Sequence, residues 1–162
     1  MTPTALASAG DLVSEVASRL REGGSGMTEA DVVAALAATR ELTRLVSRVQ
    51  VEAVAELQRR GTFAAKGYRR PEHAVAELLT VERGRAMEIV RSADHVSHRR
   101  DLQGQVLEPV LPAMADAFAG GTASLQHVNL IARVMDRPDA RRIPPYAWAG
   151  ICLLYTSPSP RD

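Results

Sequence analysis

The segment 28–60 constrains the fold most strongly, because it contains neither glycine nor proline and its apolar residues follow a helical repeat. Aliphatic side chains recur there at helical spacings: Leu42, Leu45, Val46, Val49, Ala53 and Leu57. Thr28, followed by Asp31, predicts an N-terminal cap, and Gly61 predicts the end of the helix. A helix of this length spans roughly 45 Å, so we expect it to form the central spine of a helical bundle.

The rest of the chain also follows a helical repeat, and no segment alternates apolar and polar residues as a strand does. Further helices are predicted at 11–21, 71–79, 82–95, 112–119 and 125–135, with Ser124 as the cap of the last one. Segment 61–70 is predicted as a loop, and 96–106 as a loop or frayed helix. The predicted fold is therefore all-α: an irregular bundle of about five or six helices with one long central helix.

Composition divides the chain into four segments: an N-terminal helix and glycine-rich break at 1–27, a helical domain at 28–135, the truncated start of a further segment at 136–151, and a tail at 152–162. The tail, Cys152 to Asp162, reads CLLYTSPSPRD, which matches the translation of a transposase adapter used in sequencing libraries. We therefore expect the natural chain to be interrupted near Ile151. A natural Ser/Pro-rich disordered end is the alternative.

Composition also excludes several kinds of site within residues 1–151. The single cysteine, Cys152, lies in the tail, which leaves no disulfide, cysteine-ligated zinc site or cysteine nucleophile in that range. Ser124 has no base spaced to activate it and is predicted to cap a helix. No apolar run reaches the length of a membrane span, and no secretory signal precedes the first helix, so we expect a cytoplasmic protein.

Charge is unevenly distributed along the chain, although the net charge is only +1. Residues 57–100 carry a net charge of +5, against −3 for residues 1–56 and −1 for residues 101–162. Such an asymmetry is typical of a surface that faces a polyanion, and an ordinary solvated face is the alternative.

Five cations lie around the predicted loop after the long helix, with no acidic residue among them: Arg59, Arg60, Lys66, Arg69 and Arg70. With Tyr68 as a ring on which a base can stack, they are candidates for a clamp on a nucleic-acid backbone. The alternative is structural. Arg59 and Arg60 would then interact with the C-terminal end of the helix dipole, while Phe63 and Tyr68 pack over the edge of the core.

Segment 71–93 is compatible with a helix-turn-helix, in which Thr80 and Val81 form the turn. The residues that would hold its two helices together are Ala76, Ala86 and Ile89. The candidates for DNA contact, on or near the exposed face of the second helix, are Arg83, Arg85 and Arg91. Glu82 and Glu88 place negative charge near the same face, which favours the alternative of a plain helical hairpin.

Four side chains have a spacing at which a helix can present metal ligands: Asp94, His95, His98 and Asp101. Their polar context favours a solvated turn, and no metal ligand is assigned. His73 and His127 stand near helix starts, where capping or packing at the core edge explains them. The sequence contains no constellation of nucleophile, base and acid, so no catalytic residue is assigned in this chain.

Two segments carry a family resemblance: GYRRPEHAVAELLTVERGRA at 67–86 and LPAMADAFAGGTASLQHVNLIA at 111–132. In this order they resemble domain of unknown function 222, the helical N-terminal domain of actinobacterial HNH endonuclease-like proteins. The resemblance covers most of residues 28–135. Glu77 stands where the family often has tryptophan, and residues 94–106 are longer and more polar than is usual.

The resemblance implies a nuclease module further downstream, with a histidine base and a divalent metal. Residues 1–151 contain none of its motifs, so we expect neither catalysis nor a cofactor in this chain. In one hypothesis, the chain is an accessory domain that positions DNA or a protein partner for the nuclease. In the other, it is a protein–protein or self-association module that uses the long helix from Thr28 to Arg60 and has no nucleic-acid role. Neither hypothesis involves a membrane.

Overall fold

The computed structural model describes residues 3–23, 26–101, 103–142 and 150. The helices with both ends in these ranges are α1 (Pro3–Arg21), α2 (Glu29–Arg59), α3 (Thr62–Ala65), α4 (Pro71–Leu79), α5 (Arg83–Val96), α6 (Pro112–Ala119) and α7 (Leu125–Met135). An antiparallel hairpin of β1 (Arg99–Arg100) and β2 (Val106–Leu107) separates α5 from α6, and a 3-10 helix covers Pro138–Arg142. The prediction of an all-α fold is confirmed. The predicted tail at 152–162, with 143–149 and 151 of the segment before it, lies outside the described residues.

The long helix predicted from Thr28 to Arg60 is present as α2. Its N-terminal cap is reciprocal, because the Thr28 N–H donates to Asp31 Oδ2 at 2.8 Å while the Asp31 N–H donates to Thr28 Oγ1 at 3.2 Å. Hydrogen bonds from the Thr28 backbone and side chain hold the pKa of the Asp31 carboxyl below its ordinary value. The chain leaves the helix where Gly61 adopts a left-handed conformation, with φ 65°.

The chain forms two compact units, whose boundary lies between Thr43 and Arg44 inside α2. The first unit contains α1 and the N-terminal part of α2, and none of its described side chains is buried. α1 begins at Pro3, earlier than the predicted start at Asp11, because proline is tolerated in a first turn and the alanines that follow favour a helix. Within the described ranges, no helix combines the length and the apolar character needed to cross a membrane.

The second unit has an aliphatic core built around α5. α5 packs against α4, α6 and α7, and its buried residues are Ala86, Ile89, Val90, Ser92, Ala93 and Val96. α2 contributes four buried residues from its C-terminal half: Ser47, Val51, Val54 and Ala55. α2 is the longest of the described helices, as predicted, and within this unit α5 is the helix against which α4, α6 and α7 pack.

Segment 61–70, predicted as a loop, contains the one-turn helix α3. Phe63, inside this turn, is buried in the core of the second unit. The Tyr68 N–H donates to the Phe63 carbonyl at 3.0 Å, and Gly67 has φ 84°, which closes the turn that follows. An aromatic anchor therefore fixes the segment, while its cationic side chains lie outside the core.

Segment 96–106, predicted as a loop or frayed helix, contains β1 and the turn of the hairpin. The paired residues are Arg99 with Leu107 and Arg100 with Val106. Asp101 Oδ1 accepts hydrogen bonds from the N–H groups of Gln103 at 2.9 Å and Gln105 at 2.8 Å, and Gly104 has φ 85°. The prediction of no strand is wrong here, because strands this short cannot show a period-two pattern.

Candidate interaction surfaces

The α4–α5 hairpin forms where the sequence predicts it. Thr80 adopts a left-handed conformation, with φ 52°, directly after α4. The Val81 N–H then donates to the Ala76 carbonyl at 3.1 Å and completes the C-terminal cap of α4. Ala86 and Ile89 are fully buried and hold α5 in the core, as predicted.

A polar network draws Arg91 into the fold, away from the surface proposed for DNA. Its Nη1 donates to Asn129 Oδ1 at 3.0 Å, and its Nε donates to Asp136 Oδ2 at 3.2 Å. His95 joins the network through Nδ1, 2.9 Å from the Arg91 carbonyl, and Nε2, 3.2 Å from Asp136 Oδ1. Both neighbours of the ring are acceptors, so both contacts are satisfied when both ring nitrogens carry protons. These side chains tie α5 to the C-terminal end of α7.

Arg59 and Arg60 are held by an acidic residue on their own helix. Arg60 Nε donates to Glu56 Oε1 at 2.6 Å, and Arg59 Nε donates to Glu56 Oε2 at 2.9 Å. Hydrogen bonds from Arg59 and then Arg60 hold the pKa of the Glu56 carboxyl below its ordinary value. Arg85 is held in the same way, since its Nη1 lies 3.1 Å from Glu88 Oε2. Arg85 is therefore paired with one carboxylate of its own, whereas Arg59 and Arg60 share the single carboxylate of Glu56.

Tyr68 is fixed at the edge of the core. It is partly buried and packs against the core that contains Phe63. Its hydroxyl donates to Glu77 Oε2 at 2.6 Å, and this hydrogen bond raises the pKa of Tyr68. The arrangement matches the structural alternative for the aromatic residues, in which Phe63 and Tyr68 pack at the core.

The remaining cations form a surface that we call the basic corner: Lys66, Arg69, Arg70 and Arg83. The side chains of Lys66 and Arg69 are exposed and make no hydrogen bond or ion pair with any described residue. Arg70 Nη1 and Arg83 Nη2 both approach Glu72 Oε1, at 3.8 Å and 3.7 Å. Since one carboxylate faces two guanidinium groups, the basic corner keeps an excess of positive charge.

The four side chains with metal-ligand spacing face different partners. Asp94 Oδ1 accepts a hydrogen bond from Gln58 Nε2 at 3.0 Å, and burial raises the pKa of the Asp94 carboxyl. Asp101 serves the hairpin turn, His95 contacts the end of α7, and the His98 side chain is exposed. The described part of the chain holds no group of three or more His, Cys, Asp or Glu side chains that could bind a metal ion.

The other two histidines differ in their roles. His127 caps α7, because its N–H donates to Ser124 Oγ at 3.3 Å and its Nδ1 accepts from the Ser124 N–H at 3.4 Å. This confirms the predictions of capping for both residues. His73 is instead exposed on the first turn of α4, so the prediction of capping or core-edge packing is wrong for it.

The apolar stripe that the sequence placed in the core lies mostly on the outside of α2. Leu45, Val46 and Val49 keep 52%, 53% and 50% of their surface exposed. The buried side of α2 is formed instead by Ser47, Val51, Val54 and Ala55. Of the predicted stripe, Leu57 packs against the core. The C-terminal half of α2 therefore has two apolar sides, and we call the exposed one, with Leu45, Val46, Val49 and Ala53, the outer face of α2.

An open groove of about 610 Å³ follows the outer face. Its lining residues are Leu45, Arg48, Val49, Glu52, Ala53, Glu56 and Arg59. A second cavity, of about 300 Å³, lies beside it and contains apolar side chains such as Val96 and Phe118. Arg48 and Glu52 line both, so the two depressions form one continuous surface of the second unit. Three of its charged residues, Arg48, Glu52 and Glu56, recur at a spacing of four, which is a signal present in the sequence.

Comparison with known proteins gives one match. The family model described as Domain of unknown function (DUF222) matches residues 33–145. No curated protein and no solved structure matches the chain. The matched range includes the outer face of α2, the basic corner, the α4–α5 hairpin and α7. Because this range covers most of the sequence, the chain belongs to the DUF222 family.

Proposed function

We propose that this chain is the helical accessory domain of an HNH endonuclease-like protein, and that it docks a protein partner on the outer face of α2. The accessory role rests on the family and on a sequence that provides no catalytic constellation. The docking role rests on one observation: three large aliphatic side chains stay about half exposed, side by side, opposite the buried side of the same helix.

The energetics favour a partner on this face. Covering a half-exposed Leu or Val side chain contributes about 1 kcal/mol through the hydrophobic effect. Leu45, Val46 and Val49 are contiguous, and an exposed apolar patch with a charged rim is typical of a protein interaction site. A helical or flat partner surface fits an open groove of this kind.

Contact with DNA is the second candidate, and the basic corner supports it. Lys66 and Arg69 extend from the fold without a carboxylate partner among the described residues. Such cations bind phosphate groups, release counterions and give an affinity that falls steeply with salt. The internal partners of Arg59, Arg60, Arg85 and Arg91 make this surface smaller than the sequence suggests.

The link to a nuclease has a direct test, which is to sequence the complete gene. We expect an HNH motif in the same reading frame, and a complete reading frame without one would contradict the accessory role. A divalent metal would belong to that nuclease module, and no residue of this chain is assigned to it. We propose that a protein in this role works in the cytoplasm, without a membrane partner.

Docking can be tested with a photo-crosslinking amino acid at Val49, in the whole protein and in the presence of duplex DNA. Leu78 is the matched control, since it is 61% exposed on α4 and lies outside the groove. We expect protein adducts from position 49, none from position 78, and loss of the adducts in a Leu45→Asp background. A third probe at Arg69 reports on the second candidate. DNA adducts there, with equal labelling at 49 and 78, would overturn the docking role and favour contact with DNA.

A further inference from the structure

Two rows of side chains run next to each other along the outer face of α2. The apolar row is Leu45, Val49 and Ala53, and the charged row is Arg48, Glu52 and Glu56. Each row has a spacing of four residues, so the two rows form neighbouring ridges on the helix surface. Ridges of this class pack against ridges of a second helix at a crossing angle of about −50°.

The charged row is complementary to itself when it is read in the opposite direction. Along the chain it runs from a positive charge at Arg48 to negative charges at Glu52 and Glu56. A second helix in antiparallel orientation presents the reverse order, so Arg48 faces Glu52 of the copy. In a parallel arrangement the same residues would face like charges, which is unfavourable.

The contacts of these residues within one chain leave the central pair available. Arg48 makes no ion pair with any described residue. Glu52 Oε1 accepts a hydrogen bond from Ser97 Oγ at 3.2 Å, which leaves its other carboxylate oxygen for a second donor. Glu56 already binds Arg59 and Arg60, so we assign most of the charge complementarity to Arg48 and Glu52.

We propose that the partner on the outer face is a second copy of this chain, bound antiparallel across a two-fold axis that passes close to Val49. This inference rests on the proposed docking function and identifies its partner. The apolar rows of the two copies then cover each other, and Val49 lies beside Val49 of the copy. A two-fold axis brings the same patch from both chains together, so Arg48 and Glu52 form two equivalent ion pairs.

A charge exchange tests the orientation, with the dimer dissociation constant of the full chain measured by sedimentation equilibrium. Arg48→Glu and Glu52→Arg should each weaken the dimer about tenfold or more, because each places two like pairs across the axis. The double variant restores both pairs in reverse and should return the constant to within about threefold of the unmodified chain. Arg133→Glu, on α7, is the control and should change nothing. A double variant as weak as the single ones would overturn the proposed pairing.

Disulfide trapping tests the axis independently of charge, in a Cys152→Ser background. Val49→Cys should form a disulfide with its own copy. Leu45→Cys alone should not, since its copy lies about 12 Å away along the helix, beyond the reach of a disulfide. A mixture of Leu45→Cys and Ala53→Cys chains should give only mixed disulfides. Self-crosslinking of Leu45→Cys would indicate a parallel dimer and contradict the inference.

The docking role and the identity of the partner would be contradicted by different results. A chain that stays monomeric at high concentration, while position 49 still crosslinks to a different protein, overturns the second copy as partner and keeps the docking role. A monomer without any protein adduct at position 49 overturns both. Retained folding of each variant, measured by circular dichroism, shows that loss of the dimer does not come from loss of structure.

Discussion

α2 and α5 are both helices with apolar residues on more than one side, but they stand in different surroundings. Ile89 of α5 is fully buried, and α4, α6 and α7 pack around this helix. On α2, Val51 is completely buried, whereas Val49, only two residues earlier, is half exposed. Packing within the fold therefore accounts for the apolar sides of α5. Of the two apolar sides of α2, only one packs against other described residues of the second unit.

The charged residues of the two helices differ in the same sense. Arg91 of α5 binds Asn129 and Asp136, so its charge serves the fold. Arg48 of α2 has no carboxylate partner among the described residues and borders an open groove. Arginines of the two helices thus divide into those that hold the domain together and those without a carboxylate partner among the described residues, and only the structure shows this division.

The largest effect is expected in the core. Ile89→Ala should lower the free energy of unfolding by about 3 kcal/mol, because it removes buried methyl groups and leaves a cavity. Leu45→Ala should lower it by less than about 0.5 kcal/mol, since that side chain is half exposed. Urea unfolding at protein concentrations below the dimer dissociation constant measures both without a contribution from association. Similar losses in the two variants would contradict the contrast between α5 and α2.

A sharper version uses one substitution at two neighbouring positions of α2. Val51→Ala should cost about 2 kcal/mol of unfolding free energy, and Val49→Ala less than about 0.5 kcal/mol. The order should be reversed for association, where Val49→Ala weakens the dimer in sedimentation and Val51→Ala acts only through stability. Equal costs at both positions would show that the outer face is covered within the chain itself.

Much of the helical framework can be predicted from local signals. Ser124 and Thr28 are recognisable caps, and Thr80 ends α4 at the predicted turn. The orientation of α2 cannot be predicted in this way, because Leu45 and Val49 satisfy a helical repeat as well as Val51 and Val54 do. Periodicity identifies an apolar side, but which of two such sides enters the core depends on packing against distant segments.

The candidate surfaces also combine features that local sequence predicts with features that depend on packing between distant segments. The cations of the basic corner can be recognised from the sequence alone, since Lys66 and Arg69 lie shortly after the long helix. The ion pair between Arg59 and Glu56 is local, and it can be predicted from the sequence because the two residues are three positions apart on one helix. The contact between Arg91 and Asp136 cannot be predicted from the sequence, because Asp136 lies far along the chain and reaches α5 only through the packing of α7.

An intermediate effect is expected for two arginines with opposite surroundings. Arg69→Ala should reduce the affinity for duplex DNA, with the slope of log affinity against log salt falling by about 0.9, if the basic corner binds phosphate. Arg91→Ala should leave DNA binding unchanged and lower the free energy of unfolding by about 1–2 kcal/mol, because Asn129 and Asp136 lose their partner. Fluorescence anisotropy and urea unfolding give the two readouts. An effect of Arg91→Ala on affinity alone would place that side chain at the DNA surface.

The smallest effect concerns Asp94 of α5, where burial raises the pKa of the carboxyl. A carboxyl that binds its proton more tightly in the folded state makes folding less favourable once the pH exceeds its folded pKa. Asp94→Asn removes this cost and keeps an oxygen that can accept the hydrogen bond from Gln58. We expect a stabilisation at pH 7 below about 0.5 kcal/mol, limited by solvent screening, and none at a pH below the ordinary aspartate pKa of about 3.9. Thermal unfolding at the two pH values measures the difference, and a variant that is less stable at pH 7 would show that the charged form of Asp94 supports the contact between α2 and α5.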